Sequence, residues 1–123
     1  KGNIVDIEGT EVPAGRRTRV ILGQNGAMEG DKFCQGYVVV YKGGGIPEHD
    51  HETVESYTIL KGTGIMEVDG DKQAVKEGDC IFIPGGLNHS LYNTGEDELH
   101  MMFVYAPGII VDHWAKEQSG ELK

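Results

Sequence analysis

The chain has 123 residues, 38% of them hydrophobic, which is the size of one globular domain. Its formal net charge of −9 and the absence of any Lys and Arg cluster argue against a nucleic-acid surface, which must neutralise phosphates. The longest apolar run, residues 101–111, is broken by Pro107 and Gly108 and is too short to span a bilayer. No signal peptide opens the sequence, so we expect a soluble, cytoplasmic protein.

Nineteen glycines and four prolines predict frequent turns, and hence many short strands instead of a few long helices. The first predicted strand, residues 16–22, mixes charged residues with bulky apolar ones and is expected at a sheet edge. Its arginines would lie in solvent or in a dimer contact, or would meet a substrate carboxylate. In chain order, the further predicted strands are residues 33–42, 56–60, 65–68, 72–75, 80–83, 90–92 and 99–105.

The spacing of these strands is nearly regular and predicts an all-β sandwich or small barrel. Asp69, Gly70 and Asp71 separate two of them and are typical of a tight hairpin. A short C-terminal helical tail is predicted for residues 111–118, after the break at Pro107 and Gly108.

The two cysteines, Cys34 and Cys80, each lie in an apolar run. Nothing in their number or spacing resembles a disulfide framework. Because free cysteine is usually buried, we expect two buried free thiols.

A glycine-bounded segment, residues 43–64, carries His49, His51 and Glu55. The two histidines are two residues apart, so on an extended chain their side chains point to the same side. If the start of this segment forms a loop into the following strand, both imidazoles and the carboxylate can converge on one point. Two imidazole nitrogens and a carboxylate oxygen suit a first-row divalent metal. A fourth ligand is expected from elsewhere, and His89, which begins a strand after a Pro-Gly-Gly turn, can supply it.

The spacing of these residues follows two patterns. The first segment fits G-x5-H-x-H-x3-E-x6-G and the second fits G-x5-P-x-G-x2-H-x3-N, and every fixed position is met. Together the two patterns resemble the two motifs of the cupin superfamily, and the resemblance covers most of the chain from about Phe33 to Pro107. The positions are Gly43, His49, His51, Glu55 and Gly62, then Gly78, Pro84, Gly86, His89 and Asn93.

The resemblance implies a double-stranded β-helix, the jelly-roll barrel of cupins. It also implies that one divalent transition metal, iron, manganese, zinc or nickel, is bound by His49, His51, Glu55 and His89. Residues 33–107 would form the barrel core, residues 1–32 N-terminal strands and a dimer arm, and residues 108–123 a tail, all in one domain. A homodimer follows from family habit and from the edge-like strand at residues 16–22.

Three further residues have open interpretations. Tyr57 shares a face with Glu55, and some metal-dependent cupin lyases use a tyrosine there as a base, although aromatic residues also pack in such places. His100 could face either side of its strand, since the register is not fixed by the sequence, and a surface or supporting position is favoured over a ligand. His113, beside Trp114, is expected to pack in the tail.

Three functions compete for this site. The first is a metal-dependent enzyme that acts on a small oxygenated acid or sugar derivative by lyase, isomerase or decarboxylase chemistry. The second is an Fe(II)-dependent dioxygenase with the same ligands. The third is a module that binds or senses a metabolite without turnover. In each case the partner is a small molecule, with no nucleic acid and no membrane.

Overall fold

The structure of the chain, a computed structural model, describes residues 1–107. Apart from one short 3-10 helix, Ile4–Asp6, the regular elements of this part are strands, so the all-β prediction is confirmed. The helical tail predicted at residues 111–118 and His113 lie outside the described residues. The strands are β1 (Thr10–Val12), β2 (Arg16–Leu22), β3 (Cys34–Val40), β4 (Gly45–His49), β5 (Val54–Lys61), β6 (Thr63–Val68), β7 (Asp71–Lys76), β8 (Cys80–Ile83), β9 (His89–Asn93) and β10 (Leu99–Ala106).

The strands form two antiparallel sheets that enclose one core. The larger sheet has the order β1-β2-β3-β10-β5-β8, and the smaller has the order β4-β9-β6-β7. Because consecutive strands often belong to different sheets, the chain wraps around the core as a jelly-roll barrel. No helix among residues 1–107 is long and apolar enough to cross a membrane.

The core is built from the inward positions of both sheets. In β10 burial alternates strictly, so Leu99, Met101, Phe103 and Tyr105 face inward while the residues between them are only partly buried. Burying an aliphatic or aromatic side chain of this size contributes about 1.5–3 kcal/mol, so this row stabilises the closed barrel. Met102, between two inward residues, lies on the outer face.

The hairpin between β6 and β7 agrees with the prediction. Val68 pairs with Asp71, which leaves a two-residue loop. Asp69 and Gly70 both have positive φ, 49° and 82°, as a type I′ turn requires.

Two predictions about the first half of the chain are wrong. The start of the 43–64 segment is not a loop, because Gly45–His49 forms β4 at the edge of the smaller sheet. Pro47 obscured this strand in the sequence, since proline is tolerated only where a strand has an unpaired side. The strand β2 is not an edge either, because β1 pairs with it along Val12 and Arg16.

The side chains of β2 also divide differently from the expectation of solvated arginines. Arg16 is 1% exposed and its Nη1 donates a hydrogen bond to the Gly45 carbonyl oxygen, 3.1 Å away. Arg17 and Arg19 lie on the outer face and are half-buried. A period of two along the strand produces this division, because positions 16 and 18 face the core.

The two thiols lie on opposite faces of the larger sheet. Cys34 is buried and Cys80 is exposed, so the expectation of a buried thiol is wrong for Cys80. In β8 it is Ile83 that faces the core, and this register turns Cys80 and Phe82 outward.

Candidate metal centre

The four predicted ligand residues come from three strands and one loop that meet at the same end of the barrel. His49 ends β4 and pairs across the smaller sheet with His89, the first residue of β9. His51 lies in the short loop after β4, and Glu55 follows one residue after β5 begins. Glu55 and Tyr57 are both buried on the inner face of β5, as the parity of the sequence predicted.

The side chains of these residues converge. One ligand atom from each of His49, His51, Glu55 and His89 lies within 4.8 Å of the others. The Glu55 Oε1 atom is 3.0 Å from His51 Nε2 and 3.3 Å from His89 Nε2. The imidazole rings of His49 and His89 are 4.2 Å apart between centroids. Three imidazoles therefore surround one carboxylate in a space large enough for a single ion.

Each of the three histidines is oriented through its Nδ1 atom. His49 Nδ1 lies 2.7 Å from the Pro47 carbonyl oxygen, and His89 Nδ1 lies 3.0 Å from that of Leu87. His51 Nδ1 lies 3.0 Å from the Thr53 carbonyl oxygen. A carbonyl can only accept, so each Nδ1 carries a proton and each Nε2 faces the centre, where a neutral ring offers its lone pair.

The charges of the cluster follow from burial and from Glu55. Burial, followed by the charge of His89, lowers the pKa of His49 to about 4, so this imidazole is neutral at pH 7. Burial also disfavours the ionised form of Glu55, but the His51 and His89 imidazoles beside it outweigh burial and lower its pKa. For His51 the hydrogen bond and the charge of Glu55 likewise outweigh burial and raise the pKa. Glu55 is therefore an anion at neutral pH.

The backbone of the second motif supports the first. The turn before β9 contains Gly86, whose φ is 83°, and its N–H donates to the His51 carbonyl oxygen at 2.7 Å. At Gly85 a Cβ atom would lie 2.4 Å from the Glu52 carbonyl oxygen, so this close approach requires glycine. Asn93, the last motif position, holds the other end of the barrel, because its side chain bonds the Val40, Tyr41 and Asp97 carbonyl oxygens.

The wall of the site faces the barrel interior. Tyr57 is buried, and its ring lies edge-on to that of His89 with centroids 6.1 Å apart. A small internal cavity of about 20 Å³ is lined by Glu55, Tyr57, Tyr105 and Arg16, among others. The sequence did not single out Tyr105 or the inward position of Arg16, and only the register of β2 and β10 could have done so.

The residues present suit a divalent metal. His89 Nε2 is buried and makes no well-aligned hydrogen bond within residues 1–107, although it lies beside Glu55. A buried nitrogen without a partner is costly, and a metal ion would use that lone pair. Neutral imidazole nitrogens and a carboxylate are the donor set that first-row divalent ions prefer. The residues that would hold the ion are His49, His51, Glu55 and His89.

His100 does not belong to this centre. It lies on the outer face of β10, where its Nδ1 bonds the Tyr37 hydroxyl and its Nε2 lies 3.2 Å from Glu98 Oε1. The favoured interpretation of His100, a surface or supporting position, is therefore confirmed. Both of its ring nitrogens have protein partners.

Comparisons with known proteins agree with this architecture. The family model described as the Cupin domain matches residues 36–105. The chain is 36% identical over 63 residues to the oxalate-binding protein of Thermotoga maritima, covering 50% of this chain and 52% of that protein. It is 30% identical over 73 residues to a 5-nitrosalicylic acid 1,2-dioxygenase from a Bradyrhizobium species, covering 59% of this chain and 35% of that protein.

Solved structures show the same fold. An RmlC-like cupin from Shewanella frigidimarina superimposes with a TM-score of 0.74 at 16% identity, covering 86% of this chain and 88% of that one. The sequence relatives above match over only about half of their length or less. The Cupin domain match spans more than half of the chain and includes both motifs, and with the two-sheet barrel it shows that this chain belongs to the cupin family.

Proposed function

We propose that this protein is a metal-dependent enzyme that acts on a small oxygenated acid or sugar derivative by lyase, isomerase or decarboxylase chemistry. The observation that carries the proposal is the convergence of three imidazoles and one carboxylate within 4.8 Å, at the wall of the barrel interior. If these four residues held an ion, its remaining positions would be available to a substrate that binds through adjacent oxygen atoms.

A bound divalent ion would act as a Lewis acid toward a substrate carbonyl or carboxylate. The chain's own residues would supply orientation and proton transfer. The Nδ1 contacts of His49, His51 and His89 fix the three rings before any ligand arrives, so little reorganisation is needed. Tyr57, on the same face as Glu55, is the candidate to take a proton from the substrate carbon and to return it.

Two alternatives rest on the relatives. The similarity to a dioxygenase supports an Fe(II)-dependent oxygenase with the same four ligands. The similarity to an oxalate-binding protein supports a binding module without turnover. The same donor set serves all three, so the distinction depends on the metal and on what happens to the ligand.

The first experiment is elemental analysis of protein purified without chelator, followed by reconstitution with Fe(II), Mn(II), Zn(II) and Ni(II). We expect about one ion per chain. The loaded protein is then mixed with a panel of hydroxy acids and sugar acids, product formation is followed by NMR, and oxygen uptake is recorded in parallel. Oxygen consumption would select the dioxygenase, and tight binding of an unchanged ligand would select the binder. Failure to hold any metal would contradict both enzyme functions.

A homodimer and a cytoplasmic location remain proposals. The dimer argument from an exposed β2 edge is weaker than the sequence indicated, because β1 covers that edge. Light scattering on the purified protein measures the oligomeric state directly, and a monomer mass would contradict the dimer.

A further inference from the structure

A second cavity, of about 420 Å³, lies beside the N-terminal segment of the barrel. Its walls come from the end of the 3-10 helix and the residues after it, from β1 and β2, and from the turn after β2. This volume is within the range of small-molecule sites. The internal cavity at Glu55 and Tyr57 measures only about 20 Å³, which is room for about one water molecule. A ligand that reaches Glu55 therefore needs most of its volume elsewhere.

Thr18 lies between the two spaces, because it lines both the internal cavity and the larger one. Its side chain is 6% exposed, and its Oγ1 atom has no hydrogen-bond partner within residues 1–107. A buried hydroxyl without a partner costs about 1–3 kcal/mol relative to one that is bonded. In the shared wall, this hydroxyl is placed to bond a ligand group that lies against Thr18.

The other polar groups of the larger cavity indicate the chemistry of that ligand. Asp6 and Glu8 are acidic, Thr10 and Asn25 are neutral hydrogen-bonding residues, and no Lys or Arg is among the residues of its wall. Carboxylates, hydroxyls and an amide bond the hydroxyl groups of a ligand well, but the carboxylates repel an anionic group. The internal cavity differs, because Arg16 lines it.

We infer that the cavity lined by Thr18, Asp6 and Glu8 binds the uncharged, hydroxylated arm of a substrate whose oxygen-bearing acid end lies at Glu55 and Tyr57. This inference rests on the proposed function and narrows its substrate class to hydroxylated acids longer than a two-carbon acid. The hydroxyl of Thr18 accepts or donates one hydrogen bond to the arm. The acidic rim at Asp6 and Glu8 disfavours a second carboxylate at the far end.

Three small acids test the acid end, the hydroxylated arm and a second carboxylate of the substrate separately. Glycolate carries only an α-hydroxy acid end, gluconate adds a hydroxylated arm, and glucarate ends that arm in a second carboxylate. Binding to the Zn(II)-loaded protein is followed by calorimetry and by the amide NMR signals of residues 25–27. We expect gluconate to bind more tightly than glycolate and to shift those signals, and glucarate to bind about threefold to tenfold more weakly than gluconate.

The decisive variant is Thr18→Val, which keeps the shape and removes the hydroxyl. It should weaken gluconate binding about twofold to tenfold, the effect of one hydrogen bond, and leave glycolate binding unchanged. The melting temperature of the free protein should stay the same or rise by a few degrees, since a buried unbonded hydroxyl is removed. Thr18→Ser should restore gluconate binding. The control is Thr58→Val, the same change on the outer face of β5, which should alter neither affinity.

The outcomes distinguish the inference from the proposed function. If the loaded protein binds neither glycolate nor gluconate, the proposed function fails and the inference fails with it. If both acids bind with equal affinity, or if Thr18→Val leaves gluconate binding unchanged, only the inference is overturned. If Asp6→Asn combined with Glu8→Gln does not narrow the gap between gluconate and glucarate, the charge argument is wrong.

Discussion

Histidine lies beside a glutamate and a tyrosine in two places, inside the barrel and on the outer face of the larger sheet, yet only the inner group gathers enough ligand atoms to suit a metal. On the outer face, His100 uses one ring nitrogen for the Tyr37 hydroxyl and the other for Glu98. Inside the barrel, the three histidines, which come from the smaller sheet and the loop after β4, use Nδ1 for backbone carbonyls and turn Nε2 toward Glu55. Residue types alone therefore do not make a metal centre, because a single imidazole between two side chains lacks the further ligands that the inner group gathers within 4.8 Å.

The strongest test of this comparison is metal content. His51→Ala should lower metal affinity by more than about 100-fold, since losing a ligand exceeds the cost of losing a residue that only orients one. His100→Ala should leave the metal content unchanged. Elemental analysis measures the metal content of both variants, and circular dichroism checks that both are folded. Full occupancy in the His51 variant would show that the coordination proposed above is wrong.

The next largest effect concerns the two tyrosines. If Tyr57 transfers a proton, Tyr57→Phe should reduce kcat by at least about 100-fold while the metal content stays at the wild-type level. Tyr37→Phe, on the outer face, should leave kcat unchanged. Steady-state kinetics on whichever substrate the screen identifies decides between the two. Full turnover in the Tyr57 variant would leave this residue with a packing role.

A third contrast compares two neighbouring arginines. Arg16→Met keeps most of the side-chain volume but leaves the buried Gly45 carbonyl without its donor, which should cost about 1–3 kcal/mol of unfolding free energy. Arg17→Met, one position along the same strand but on the outer face, should stay within about 0.5 kcal/mol. Urea denaturation measures both. Equal effects would argue against a structural difference between the two faces.

The smallest expected effect concerns the reactivity of the two cysteine thiols. Burial raises the pKa of the Cys34 thiol, so little thiolate forms there at neutral pH and the side chain is also inaccessible. Cys80 is exposed on the outer face. Iodoacetamide at pH 8 should alkylate Cys80 at least about tenfold faster than Cys34, as measured by mass spectrometry of the peptides. Comparable rates at both sites would mean that the barrel opens readily around β3.

Much of the site was predictable because it depends on short-range spacing. His49, His51 and Glu55 fall within seven residues of one another, so local backbone geometry alone restricts how far apart they can be. Parity then correctly placed Glu55 and Tyr57 on one face. The strand β4 escaped prediction, because a glycine- and proline-rich segment becomes a strand only when β9 offers it a partner.

The sequence by itself determined the strand-rich class, the hairpin at Asp69 and Gly70, and the identity of the four candidate ligands, since each depends on local conformation or motif spacing. Only the tertiary structure decided that Arg16 and Thr18 face inward, that Cys80 and Met102 face outward, and that His100 stands apart from the cluster. The physical reason is register. A shift of one residue exchanges the two faces of a strand at no cost in local propensity, and only long-range pairing fixes it.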